Sequence, residues 1–156
     1  MPKKLFFSFF LALMLVSFVT TTGFCRMSKG ETLYVPAYSS IYHGIKTRQL
    51  NLTSTLFVHN INKFSPITIE VVEYYNENGQ LVSTLVETPT TLAPLATKKF
   101  IIPERDTSGG TGANFLVQWA SKKDVNPPAV ECLMVGSGGN LGVSFVIKGT
   151  PIDPEK

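Results

Sequence analysis

Two cysteines, two histidines and one tryptophan in 156 residues leave few side chains for most enzymatic chemistry. Two cysteines exclude a disulfide-dense scaffold and a four-cysteine zinc site. The histidines are His43 and His59, so acid–base or metal chemistry built on histidine has little to draw on. An excess of one charge is also lacking. The chain holds 14 basic and 11 acidic residues. Lys3 and Lys4 are the basic residues of the first 25 positions, where no acid occurs, so the rest is close to neutral. No basic patch or stripe is visible in it, which argues against a nucleic-acid partner. No stretch of ten or more residues shows a clean apolar period near 3.6, and no phosphate-binding loop ending in Gly-Lys-Ser/Thr is present. The sequence implies no cofactor and no metal.

The N-terminus is where the chain is rich. After Lys3 and Lys4, Leu5 to Val19 runs apolar except for Ser8 and Ser17, and Thr20–Gly23 are small and uncharged. This is the three-part layout of a secretory signal. A spanning helix needs about 20 apolar residues, more than this run supplies. Cleavage fits after Gly23 or after Cys25, with small residues at the required positions. Cys25 is also a lipidation candidate of the bacterial lipoprotein type, although Phe24 before it fits that signal badly. Residues 1–25 are therefore expected to be a signal peptide, removed or lipoprotein-type. The expected location is the periplasm or cell surface, with any membrane attachment only through a signal anchor or a lipidated Cys25.

Past residue 25 the pattern has period two. Strands are expected at Thr32–Tyr38, Leu50–Asn60, Pro66–Tyr75, Gln80–Val86, Ala96–Ile102, Asn114–Ser121, Ala129–Gly136 and Gly142–Lys148. In Leu50–Asn60 one face holds Leu50, Leu52, Leu56 and Val58, with Ser54 its polar member. The other holds Thr53, Thr55, Phe57 and His59. Ile67, Ile69 and Val71 alternate inward on the third strand, which places Glu73 on the apolar face and implies a bulge or the end of burial there. Asn78-Gly79 signals a type I′ hairpin turn. Trp119 continues the Phe115–Val117 face and is expected in the core. Glycine- and proline-rich joints separate the later strands. The expectation is an all-β fold: one antiparallel β-sandwich over residues 26–149, immunoglobulin-like and of about eight strands, with an open barrel as the alternative and a loose tail at 150–156.

Several stretches carry a family resemblance together: LYVPAYSSIYHG (33–44), NLTSTLFVHN (51–60), DTSGGTGANFLVQW (106–119), NPPAVECLMVG (126–136) and GVSFVIKG (142–149). The chain resembles a bacterial family of exported proteins known only as a domain of unknown function. The resemblance runs from about Lys29 to Gly149. It implies a bacterial source and an export route, and no reaction or functional residue.

Two segments are candidate binding surfaces. Tyr34, Tyr38 and Tyr42 could share one face of an extended segment that ends at His43, and tyrosine joins a large apolar area to a hydroxyl. The loop from Asp106 to Asn114 could form an anion-binding nest on the amides of Gly109, Gly110 and Gly112. Asp106, Ser108 and Asn114 offer oxygens there, with too few carboxylates for a tight calcium site. A Ser108–His43–Asp106 triad can be assembled on paper, without a nucleophile elbow. Cys132 is expected to be a buried free thiol, with a disulfide to Cys25 as the alternative. The functional expectation is a non-enzymatic binding or structural module of the bacterial envelope, acting on an envelope partner or a small ligand. The alternatives are a small-ligand or metal-binding periplasmic protein and a hydrolase using the Asp106–Ser108 loop.

Overall fold

The computed structural model describes residues 27–139 and 141–152. The expected signal peptide, Cys25 and the last residues of the tail lie outside these. Twelve strands form: β1 (Ser28–Pro36), β2 (Ser40–His43), β3 (Arg48–Asn51), β4 (Thr53–His59), β5 (Ile67–Tyr75), β6 (Leu81–Thr84), β7 (Thr90–Leu92), β8 (Thr97–Ile102), β9 (Asn114–Val125), β10 (Ala129–Gly138), β11 (Leu141–Lys148) and β12 (Thr150–Ile152). A single 3₁₀ turn, Gly110–Gly112, precedes β9.

Every pairing is antiparallel. One sheet runs β12-β1-β9-β5-β6, with β7 also on β5, and the other runs β11-β10-β4-β8. Strands β2 and β3 form a separate hairpin. Alternation explains the layering. Leu33, Val35, Ile67, Ile69, Phe115, Val117 and Trp119 project from the first sheet into one core. Leu56, Val58, Phe100, Val130, Cys132 and Met134 meet them from the second. The fold is thus all-β with two sheets facing across a single core. The inward faces read from Leu50–Asn60, Asn114–Ser121 and Ala129–Gly136 are the buried ones, and Val143, Phe145 and Ile147 of the last strand pack partly buried against them.

Of the four strands beyond the eight expected, β2 and β7 fall in stretches read as connections, and the other two have identifiable origins. Leu52 sends its N–H to Ser39 O, 2.8 Å away, which divides Leu50–Asn60 into β3 and β4. Ser54, the polar member of the apolar face, is buried and donates to Tyr38 O at 2.9 Å, so its burial leaves no donor unpaired. Residues 150–152, expected in a loose tail, pair with β1 as β12.

Two local expectations need correction. The bulge in β5 comes earlier than Glu73: the register with β9 shifts between Ile69 and Val71. Glu70 is the extra residue, so Val71 turns outward and Val72 and Tyr74 take the core face. The Asn78-Gly79 turn is not type I′, because only Gly79 has positive φ, at 73°. Gly79 N donates to Asn76 O and Asn76 N to Gln80 O, both at 2.9 Å. This is a type I turn closed by a left-handed glycine.

Candidate functional site

The expected tyrosine surface is not assembled on one face. Tyr34 lies on β1, 37% exposed and opposite Leu116 and Thr150. Past Pro36 the chain leaves the first sheet, and Tyr38 packs partly buried against the core, its ring 6.1 Å from that of Phe145. Tyr42 is exposed on β2, and His43 sits opposite Arg48 across the hairpin. Asn114 opens β9 opposite Pro36 and Tyr75.

The glycine loop is built into the end of the sandwich. One of its amides, that of Thr111, points to an anion, and the anion is the protein's own. The turn Asn76–Gly79 presents Glu77, whose Oε2 accepts from Thr111 N at 3.0 Å and Thr111 Oγ1 at 3.1 Å. Glu77 N donates to Gly109 O at 3.0 Å, and Ser39 N to Gly110 O at 3.0 Å. Gly109 is buried so tightly that a Cβ there would collide with Tyr74 Oη. Tyr74 Oη and Ser39 Oγ share a buried hydrogen bond of 2.7 Å beneath the loop. Burial raises the Tyr74 pKa above its ordinary value, against the Ser39 bond, which lowers it. Asp106 Oδ1 accepts from Ser108 N and Ser108 Oγ, closing a local turn. Among the described residues no hydrogen bond or ion pair joins His43 to Asp106 or Ser108.

A different place has the shape of a ligand site. Between the two sheets, where β12 and β1 approach β10 and β11, a groove of about 410 Å³ opens. Leu33, Val130, Pro127, Pro128 and Pro151 give it an apolar lining, and Glu31, Glu131 and Lys148 bring the charges. Gly149 fixes the seam by donating its N–H to Val130 O at 2.8 Å, which turns the chain from β11 into β12. Glu31 lies on the core-side face of β1, directly opposite Trp119 on β9. Glu31 Oε2 and Trp119 Nε1 are both buried without a hydrogen-bond partner among the described residues. An apolar concavity of a few hundred Å³ with a few polar groups is the usual form of a small-molecule site.

Sequence reasoning passed over this groove because its residues come from three separate stretches. One signal was available: Glu31 shares the alternation of Leu33 and Val35, an acid on an otherwise apolar face. At the rim, Glu131 Oε1 lies 3.8 Å from His59 Nε2, and His59 Nδ1 is 2.9 Å from Thr97 Oγ1. His59 is on the outward face, stacked on Phe57 at 5.7 Å between centroids.

Comparison with curated proteins finds no match. Among solved structures, a crystal structure of Thermotoga maritima 1070 is similar at 9% identity, over 77% of this chain and 92% of that one, with a TM-score of 0.46. The family described as "Protein of unknown function (DUF3124)" matches residues 30–152, from early in β1 to the end of β12. The chain belongs to that family.

Proposed function

We propose that this is an exported, non-enzymatic binding module of the bacterial envelope, and that its ligand occupies the groove between β1/β12 and β10/β11. The observation that carries the reading is the apolar groove beside a carboxylate oxygen, Glu31 Oε2, that is buried without a partner. An unpaired buried acceptor costs free energy that a ligand donor recovers. The complementary ligand has an apolar body and an N–H or ammonium group directed at Glu31. Export is supported by the signal-like residues 1–25.

The test is a melting-temperature screen with alkyl- and arylalkyl-ammonium compounds. A ligand at 100 times its dissociation constant stabilises by about 2.7 kcal/mol, which is several degrees for a domain of this size. Such a shift is expected from part of the panel, together with its loss in Glu31→Gln. A panel without effect, or one that acts equally on Glu31→Gln, would refute the groove assignment.

A further inference from the structure

The end of the sandwich opposite the glycine loop has a second surface, which meets the groove at Pro127 and Pro128. It is formed by the β4–β5, β7–β8 and β9–β10 connections. Ile61 is 50% exposed, Phe64 81% and Leu95 65%. Large apolar side chains grouped on an exposed surface mark an interaction site more often than a solvent face.

These side chains are held out by a buried polar frame. Asn60 Nδ2 lies within hydrogen-bond distance of the carbonyls of Ser65, Leu92 and Ala93, at 2.8, 3.2 and 3.0 Å. Asn62 Nδ2 donates to Asn126 O at 2.9 Å, and Asn62 Oδ1 accepts from Asn126 N at 3.0 Å. Leu95 N donates to Asn62 O at 3.2 Å. Leu95 also has a φ of 58°, in the left-handed region that a leucine enters only at an energetic cost. The turn that Ala96 N closes on Ala93 O thus holds Leu95 in a strained conformation, with its side chain exposed.

The exposed charges around these tips are mostly positive. Lys29, Lys63, Lys98, Lys122 and Lys123 are exposed here beside Asp124, and Glu31 and Glu131 lie one step further along β1 and β10. Lys63 Nζ lies 5.3 Å from the Phe64 ring centroid. Lys122 and Lys123, with Ser121, Thr68, Thr91 and Pro66, line a groove of about 330 Å³ beside the tips. The sequence shows no basic patch because these lysines come from four separate stretches.

The chain upstream leaves from this same end. Ser28 pairs with Val125, the residue before Asn126. Cys25 precedes Ser28 by three positions, a reach of roughly 10 Å. The apolar run Leu5–Val19 lies just before it.

We propose that this end, with Ile61, Phe64 and Leu95 as apolar tips and Lys63, Lys122 and Lys123 around them, docks on an anionic bilayer surface. Interfacial binding grows with the apolar area inserted and with attraction to anionic lipid, and this end supplies both. The docking is separate from any attachment through residues 1–25 and does not depend on the groove.

An environment-sensitive fluorophore tests it on the full chain carrying Cys25→Ser. Phe64→Cys provides the labelling site, and because Phe64 is largely exposed its loss does not threaten the fold. Cys132 is fully buried, with its thiol pushed up to about 12, and stays unlabelled. Ile45→Cys, on the hairpin rooted at the opposite end, is the control. With phosphatidylglycerol-containing vesicles the probe at 64 should brighten and shift to the blue, while the probe at 45 keeps its emission in water. Each lysine removed from Lys63, Lys122 and Lys123 should lower the docked-to-undocked ratio by about fivefold. An unchanged probe at 64 would overturn the proposal, as would equal brightening at 45 or brightening without vesicles, which would indicate self-association. An equal response in purely zwitterionic vesicles would overturn the anionic-lipid assignment.

Discussion

Trp119 and Cys132 show how single residues hold the two sheets together. Trp119 is 1% exposed and lies on the inner face of β9 between β1 and β5. Trp119→Ala should cost roughly 3–5 kcal/mol in urea unfolding, and a loss below about 1 kcal/mol would mean that the face is misassigned. Cys132 sits fully buried on β10, opposite Leu56. Its ordinary value is 9.0, and burial pushes it up to about 12. The folded state therefore holds the thiol proton more tightly than the unfolded chain. The resulting stability is complete below pH 9 and is lost as pH rises from 9 to about 12, by about 1.4 kcal/mol per unit at most. Tyr74, also raised by burial, acts in the same direction at higher pH. Cys132→Val should flatten the alkaline loss relative to the native chain in unfolding measured at pH 8 to 11. Equal slopes in the two proteins would show that the thiol does not titrate on unfolding.

At the scale of elements, the loop before β9 and the turn after β5 are one structure. Gly110 has a φ of 71°, and a Cβ there would come within 2.5 Å of Glu77 Oε2. Gly110→Val should destabilise on both counts, with or without calcium. Calcium should leave the melting temperature nearly unchanged, because the nearby carboxylate oxygens are already engaged, Asp106 Oδ1 by Ser108 and Glu77 Oε2 by Thr111. A calcium-dependent rise of several degrees that disappears in Asp106→Ala would make the loop a metal site. Glu77→Ala should destabilise by about 0.5–1.5 kcal/mol in urea unfolding if its solvent-exposed bonds to Thr111 pin the loop. A change within 0.5 kcal/mol, as at an ordinary surface position, would show that the loop holds without them. The sequence showed the loop's glycines and their capacity for a nest. It could not show Glu77, because the contact joins positions 34 residues apart. Strand faces were legible wherever alternation was regular, as in Thr53–His59. They were misread where one inserted residue, Glu70, reversed the phase for Val71 through Tyr74.

For the molecule as a whole, the two ends and the seam differ in character. One end carries the glycine loop, closed on its own glutamate. The other carries Ile61, Phe64 and Leu95 among lysines. The seam between the sheets carries the groove. Composition and period two made the all-β sandwich legible, since a core of two facing sheets follows from alternating apolar positions. The groove and the lysine-rich end were not legible, because each is assembled from segments far apart in sequence. On the proposed reading, ligand binding belongs to the seam and not to the tyrosine segment or the glycine loop. The most direct measurement is a ¹⁵N-resolved NMR titration of the full chain with the ammonium compound that raises its melting temperature most. Saturable shifts are expected at the amides of Glu31, Leu33, Val130 and Gly149, with Tyr42, His43 and Ser108 unmoved. Shifts confined to Tyr42, His43 and the residue 106–112 loop, with the seam silent, would contradict it.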